Sequence, residues 1–598
     1  METRIVFDLE CNGFLDTVDR VWCLAWCDLA DGVVHSVGGQ TDHEIRAILP
    51  MLERADYLIG HNIIEFDLRV LKKIYPEFNP KGKAWDTLLD SKVLWTEIRD
   101  MDFKTRRKNP DFPAAMIGRH SLKAWGYRLG ILKGELAEHG FEQWSQGLQD
   151  YCEQDVRVTV ALYNTIVNST RFSQQAHDLE MELKDYMLDQ ETEGMPFDED
   201  AAKALYAELA SERANLEVVL ATAFAPWDET KVFVPKRDNK TRGYLAGVPF
   251  NKTKTVTFNP RSHKHIADRL IAVRGWQPEV FTETGQPETD YETLVALGKE
   301  WPECKTLARH AEIQKVIGMV AEGKTAYLKV VKDGRIHGRV DTCGTGTGRC
   351  SHKEPNLANI PRVGDLGKRV RALFKAPAGY ELVGSDAKGL ELRMLGHFLA
   401  RFDGGAYAKI VVEGDPHTYH QGLAGLASRD QAKTFIYGFI YGAGPEKIGL
   451  IVGKGQAAGQ TLKNRFLRQF PALAKLKSAV GAKVVVHGAI RGIDGRYLHI
   501  RSSHAALNTL LQSAGAIAMK MAVIYFNRAI REKGWFQRGL VKQVVFCHDE
   551  LQSLSIPSLS EEVKEVCIES IRRAGAHFNL RCSLDGEGKV GPSWLETH

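Results

Sequence analysis

Cysteine is sparse in this sequence: ten residues in 598, with no CxxC pair, which argues against a disulfide framework. Cys23 and Cys27 fall four apart on a strand-like stretch and read as core residues. No apolar run comes near the roughly 18 residues needed to cross a membrane. The opening METRIVFDLE goes straight into a strand, without the charged-then-apolar plan of a leader. These absences lead to the expectation of a soluble, cytoplasmic protein of a reducing compartment with no membrane partner. An internal repeat and a long low-complexity tract are also missing. So is any excess of one charge sign: 79 Lys and Arg against 75 Asp and Glu leave a net charge of +4 and a pI near 8.4. So mild a balance does not establish nucleic-acid binding, because a basic cleft can lie among acidic surfaces.

What is present is length and ordinary globular composition. At 598 residues, with 44% hydrophobic and 26% charged content, the chain is too long for one core, and roughly four domains is the expectation. Residues 1–170 alternate strands (RIVFDLE, ADYLIGHN) with helices such as LQDYCEQDVRVTVALYNTIV, an α/β pattern. Residues 174–222 read as two long helices separated by a turn at EGMPFD. The stretch at about 225–257 is rich in turn formers and cations, with seven Lys or Arg against three Asp or Glu, and reads as an exposed insertion. Beyond about residue 335 the pattern is mixed: GYELVGSDAKGLELRMLGHFL is a strand running into a helix, residues 415–530 are mainly helical, and KQVVFCHDELQSLSI is strand, tight turn, strand.

Two groups of carboxylates carry chemistry. Asp8 and Glu10, two apart on a strand, leave the same face. Asp67 follows another strand, and Asp155 lies one helical turn after Tyr151. Acids converging on one pocket repel unless cations hold them, and oxygen-only ligands suit Mg²⁺ or Mn²⁺. Two such ions about 4 Å apart can activate a water and stabilise the leaving oxygen of a phosphodiester, with Tyr151 orienting the water. The second group is Asp386, at a strand end, and Asp549, at a hairpin tip, which one sheet could bring within metal-bridging distance.

Between them lies RDQAKTFIYGFIYGAG, residues 429–444. Arg429, Lys433, Tyr437 and Tyr441 recur at four-residue spacing; each drifts only about 40° from the last, so all four share one stripe. Phe435 and Phe439 fall nearly opposite, as a core anchor would. On this helix alone a surface helix with snorkelling cations explains the pattern as well as a ligand face does. Beside Asp386 and Asp549 the stripe gains a use: Arg429 and Lys433 would hold triphosphate oxygens, Tyr437 and Tyr441 would give the base and sugar a ring surface, and His417 could add a donor.

The motifs D-x-E (Asp8, Glu10), N-x-x-x-x-D (Asn62, Asp67) and Y-x-x-x-D (Tyr151, Asp155), in this order, resemble the DnaQ-like 3′–5′ exonuclease family. DAKGLELR at 386–393, RDQAKTFIYGFIYG at 429–442 and HDE at 548–550 resemble the three motifs of the family A DNA polymerases. HSLKAWGYRLG (120–130), TGRCSHKEPNLANIP (347–361), HAALNTLLQSAGA (504–516) and LDGEGKVGPSW look like the branch found in T-seven-type short-tailed phages. The resemblance spans nearly the whole chain. It implies a template-directed DNA polymerase with a proofreading 3′–5′ exonuclease, replicating a phage genome in the host-cell cytoplasm, with primer–template DNA and dNTPs as partners and a replicative helicase-primase as a further one. It also implies two Mg²⁺ ions at each site, replaceable by Mn²⁺. Asp386, Asp549 and the Ala387 carbonyl would be ligands at one site, and Asp8, Glu10, Asp67 and Asp155 at the other. By similarity Lys433 is catalytic, Glu391 closes off the space beside the sugar 2′ position, and Arg349, His504, Asn508, Gln512, His548 and Glu550 belong to the substrate-binding set. Tyr437 stands where many relatives have Phe.

The implied fold class is multidomain α/β: a ribonuclease-H-like exonuclease domain (1–184) followed by a right hand. Its thumb would span 185–334 with the short basic insertion, its palm 335–410 and 505–598, and its fingers 411–504. The phage relatives carry a long thumb insertion that clamps host thioredoxin; the stretch here is markedly shorter, which counts against thioredoxin dependence and leaves two readings, direct contact with DNA phosphates and a purely solvated loop. Rival readings are a single-subunit RNA polymerase-like enzyme, a nuclease with a non-catalytic DNA clamp, and a scaffold with inactive sites. Glu391, Glu550 and the exonuclease acids argue against the first and the retained acids against the last, while Asp386→Asn, which would leave all activity of a nuclease with a clamp intact, separates the second.

Overall fold

The computed structural model describes residues 2–132, 140–282, 284–361 and 364–598, and the side chain of Arg242 is not described. The chain divides into two compact units. The first comprises 1–194, 338–358 and 376–598, the second 195–337 and 359–375.

The first unit opens with a five-stranded sheet built from β1 (Arg4–Cys11), β2 (Val21–Asp28), β3 (Val34–Gly38), β4 (Tyr57–Gly60) and β5 (Lys83–Asp86), in the order β3-β2-β1-β4-β5. β1 pairs antiparallel with β2 and parallel with β4. Strand alternation divides β1 between two cores: Ile5, Phe7, Leu9 and Cys11 pack on one face, and Val6 packs on the other with Cys152 and Val156. The helices that matter for the sites are α1 (Asp67–Ile74), α2 (Thr87–Leu94), α3 (Ile98–Lys108), α4 (Gln146–Val167) and α5 (Gln174–Glu193). α4 covers the Val6 face, the face from which Asp8 and Glu10 also project. Cys23 and Cys27 are buried on β2 as expected, and all ten cysteines are free thiols.

The expected boundary at 184/185 falls inside α5, so the division moves to the end of that helix. The EGMPFD break holds a two-residue strand, Met195–Pro196, paired with Arg335–Ile336. In the second unit α6 (Glu199–Ala223) packs with α7 (Pro302–Ile317). The basic stretch expected as a turn-rich insertion is a regular hairpin of β6 (Trp227–Phe233) and β7 (Phe250–Val256). The return of 359–375 to this unit had no counterpart in the sequence reading.

Back in the first unit come β8 (Glu381–Ala387), α8 (Leu390–Asp403), α9 (Pro416–Ala424), α10 (Arg429–Ile440), α11 (Ala506–Glu532), β9 (Val541–Cys547), β10 (Glu550–Ser555) and β11 (Gly586–Gly591). The four strands form an antiparallel sheet, β9-β10-β8-β11. α11 corrects the expectation that no segment is long and apolar enough for a membrane: Ser503–Glu532 passes on length and composition, but 83% of its apolar window is buried inside the protein. Its apolarity is that of a helix surrounded by core on nearly all sides. Even its Lys520 is buried, donating to Glu180 on α5 and to the Thr342 carbonyl. Arg496 is buried beside them, 2.8 Å from Glu180 and 2.7 Å from Asp494. Burial alone would push the Glu180 carboxyl up; Lys520 and Arg496 outweigh it and hold the group below its ordinary value.

Candidate active sites

The first site forms where β1 meets α4. Ligand oxygens of Asp8, Glu10 and Asp155 all lie within 4.8 Å of one another. α4 is set against the strand by Cys152, whose thiol donates to the Asp8 carbonyl at 3.3 Å. Asp155 is buried, and half-buried Tyr151 precedes it by one turn on the same helix. Asp67 stands beside this trio at the start of α1. Its carboxyl is pushed up to about 7, chiefly by burial, with the carboxylates of Asp86 and Asp155 adding, while backbone N–H groups, including that of Leu9, oppose the shift. An oxygen-only donor set of this kind fits a hard divalent cation such as Mg²⁺ or Mn²⁺.

Asp86, not singled out in the sequence, shapes the approach to this site. Its carboxylate accepts from Leu88 N at the start of α2 and, at 2.9 Å, from Asn62 N. That second bond holds Asn62 in the left-handed region at φ 71°. A cavity of about 610 Å³ opens beside Asp8 and Asp155, walled by His61, Asn62, Lys92, Arg119 and His120 among others. Lys92, Arg119 and His120 went unnoticed as site residues, although His120 begins a stretch that carried the family resemblance; single cations and histidines show no spacing that separates them from surface groups. The His120 ring is held near 4 by burial and by Arg128 and Lys92, so it faces the carboxylates neutral, 3.0 Å from the Ser91 hydroxyl.

The second site lies at one end of the four-stranded sheet. Asp386 pairs with Glu550 across β8 and β10. The turn between β9 and β10 is two residues, His548 and Asp549, and His548 takes φ 61°. A hairpin turn asks for positive φ, and glycine would adopt it without strain. The Ala387 N–H donates to the Asp549 carbonyl at 3.1 Å. The sheet therefore brings the expected acids side by side. Glu550, expected among the substrate-binding residues, is already engaged. It is buried, its carboxylate accepting from Trp594 and from Gln552 and pairing with His598 at 2.8 Å. As the cross-strand partner of Asp386 it leaves the same face of the sheet, but these bonds commit its carboxylate, and it anchors the hairpin.

α10 begins at Ser428, whose hydroxyl caps Gln431 N at 3.2 Å. Phe435 and Phe439 are buried, as the stripe required, while Arg429 and Lys433 are exposed and Tyr437 is half-buried. Tyr441 caps the helix end. The Tyr437 and Tyr441 rings stack with centroids 6.2 Å apart, and His417 on α9 lies 6.1 Å from Tyr437. The expectation of an open cationic face needs one correction: Arg429 is already engaged, donating to Asp415 at 2.7 and 3.2 Å. Glu391 accepts from the Tyr441 hydroxyl at 3.2 Å and lies 3.5 Å from Arg349. Tyr437 is pushed up to about 12 by burial and by the Glu391 and Asp549 carboxylates, which ties α10 to the hairpin tip. Asn508 and Gln512, one turn apart, form a half-buried strip on the otherwise buried start of α11, with exposed His504 just before it. His352, 6.3 Å from the His548 ring, is held near 4 by burial.

A family model for DNA polymerase family A matches residues 248–596. The chain belongs to DNA polymerase family A. The polymerase is 36% identical to the DNA-directed DNA polymerase of Enterobacteria phage T3 across 99% of this chain and all of that one. It is 35% identical to the corresponding enzyme of Escherichia phage T7 over the same shares. In fold, the polymerase is similar to the POL domain of Pol1 from M. smegmatis, solved with DNA primer-template and dNTP, at a TM-score of 0.75 and 18% identity, covering all of this chain and 96% of that one.

Proposed function

We propose that this DNA-directed DNA polymerase of the phage T7 type extends a primer at the Asp386–Asp549 end of its antiparallel sheet, excises 3′-terminal nucleotides at the Asp8–Glu10–Asp155 group, and replicates a phage genome. The N-terminal sheet with α4 would then be a ribonuclease-H-like exonuclease domain. The β9-β10-β8-β11 sheet would be the palm, the α9–α10 region the fingers and the second unit the thumb. Mg²⁺, two ions at each site or Mn²⁺ in their place, would be held by Asp386, Asp549 and the Ala387 carbonyl at one site and by Asp8, Glu10, Asp67 and Asp155 at the other, supplying Lewis acidity to the reacting phosphate.

The chain's own groups do the rest. Lys433, and Arg429 once exchanged from Asp415, bind triphosphate oxygens and offset the charge that builds on the leaving pyrophosphate. Tyr437 and Tyr441 present stacked rings to the base and sugar, with His417 behind them. Glu391, braced by Tyr441 and Arg349, fills the space a ribose 2′-hydroxyl would need. Arg349, His504, Asn508, Gln512 and His548 line the primer–template side, where minor-groove contacts test pairing shape without reading sequence. At the excision site Tyr151 orients water, and Lys92 and Arg119 lower the repulsion between substrate phosphate and carboxylates.

The observation that carries this reading is the assembly of two separate carboxylate groups, each from residues far apart in sequence, at the positions the family motifs name. Asp386→Asn is expected to lower primer extension by at least about a thousandfold while leaving 3′ excision intact; Asp8→Asn is expected to do the reverse. Primed-template gel assays with and without dNTPs measure both. One variant abolishing both activities, or neither abolishing its own, would rule out two independent sites.

A further inference from the structure

α3 carries charge that its own packing does not use. Its acids are all committed. Asp102 is buried and accepts from Arg128 at 2.9 and 2.8 Å and from Gly118 N at 2.7 Å. Asp100 lies 3.8 Å from Arg501. Beyond Asp102 every side chain from Phe103 to Pro110 is exposed, so the helix end projects from the sheet domain. Lys104, Arg106, Arg107 and Lys108 stand on this projection, and none has a carboxylate partner among the described residues. Two apolar side chains are exposed with them, Met101 at 39% and Phe103 at 44%.

The projection stands at the lip of the excision cavity. A Cβ on Gly118 would lie 3.2 Å from Arg99, and Gly118, Arg119 and His120 are cavity wall. The next residue, Asp100, reaches Arg501, three positions before His504 on the primer–template side. Adjacent residues of one helix thus touch the rim of one site and the approach to the other. Clustered cations with exposed apolar and aromatic side chains suit a flexible polyanion with stacking bases, which is single-stranded nucleic acid. A cavity lined by carboxylates repels such a strand unless cations outside it raise its local concentration.

We propose that the exposed end of α3 binds single-stranded DNA and guides its 3′ end from the primer–template side into the cavity beside Asp8 and Asp155; this rests on the reading of that cavity as the excision site. The test uses the full-length K104A/R106A/R107A/K108A protein. Two substrates are compared, a strand of about twelve nucleotides, long enough to reach the helix, and a trinucleotide that occupies only the cavity. The KM for the longer strand is expected to rise roughly tenfold, and the slope of log binding affinity against log salt, read by fluorescence anisotropy, to fall by about 2 to 3. Excision of the trinucleotide and single-nucleotide incorporation onto a duplex primer should match the wild type, the latter reporting an intact fold. An unchanged KM and salt slope, or equal losses on both substrates, overturns the guiding role. Wild-type protein that excises neither substrate overturns instead the reading of the cavity on which the guiding role stands.

Discussion

The Glu391 carboxylate is held between Tyr441 and Arg349. On the proposed function, that bracing is what lets a side chain that reacts with nothing exclude a larger sugar. Tyr437, on the same stripe, presents a hydroxyl where a Phe would present only a ring edge, and that hydroxyl can stand in for a missing sugar 3′-hydroxyl. Tyr437→Phe is therefore expected to raise discrimination against dideoxynucleotides by about tenfold or more, the worth of one hydrogen bond. Termination ladders at fixed dideoxynucleotide ratios measure it; an unaltered ladder would refute the role. At this scale the sequence was legible wherever periodicity or motif spacing applied: Asp8 with Glu10, Asp155 after Tyr151, and the four stripe residues. It was silent on Glu550, whose partners Gln552, Trp594 and His598 are set by sheet pairing and chain folding-back. It was equally silent on the Arg429–Asp415 pair, a contact between two helices with no local signal.

Among the elements, α5 and α11 are tied by a cluster that stabilises only if complete. Glu180 on α5 meets Lys520 on α11 and Arg496 from the hairpin turn that precedes α11 in the chain, all three out of water. Removing one member of a buried ionic group strands the others, at a cost of about 3–5 kcal/mol. Glu180→Gln should therefore lose about that much stability at neutral pH in urea unfolding. The pH dependence has a definite sign. Because the folded carboxyl sits below its ordinary value, its contribution is fully present above the unfolded value of about 4.5 and is lost as pH falls through the lower folded one. Wild-type stability should fall across that acid range, and the Gln variant should fall less steeply; parallel curves would exclude the ionised cluster. The elements themselves were largely readable from strand alternation, helical runs and the hairpin signal around Asp549. What escaped was the pairing of distant members. The left-handed His548 and the buried Lys520 break local rules and make sense only in the assembled sheet and core.

For the molecule as a whole, the proposed function gives the second unit and its hairpin the task of holding DNA. Lys231 faces Lys252 directly across β6 and β7, a like-charge pair that weakens the hairpin itself. Phe233, Tyr244 and Phe250 cluster at the tip with centroids 5.6 and 5.0 Å apart, and Phe233 and Phe250 remain exposed. Cations placed against their own stability, beside exposed rings, fit contact with a phosphate backbone. Replacing Lys231, Lys252 and Lys254 by Ala is expected to shorten products per binding event and to lower the salt slope of DNA binding by about 2 to 3. Added thioredoxin should change neither. Product lengths under single-turnover trap conditions at two salt concentrations, with and without thioredoxin, test this. A wild-type enzyme that lengthens its products only with thioredoxin would reverse the assignment.

The order of strands in the antiparallel sheet also bears on how the enzyme comes into being. β8, which bears Asp386, pairs with β10 at Glu550 and with β11 at Glu587, so its nearest bonding neighbour is encoded about 160 residues downstream. At a synthesis rate of roughly 5–20 residues per second, that strand waits on the order of ten to thirty seconds on the ribosome with both edges open. The N-terminal sheet, whose five strands all lie within residues 4–86, can close long before. A nascent chain would thus close its N-terminal sheet while the strand bearing Asp386 is still unpaired, and guarding that strand from wrong partners is a burden the cell's chaperones inherit with each copy made.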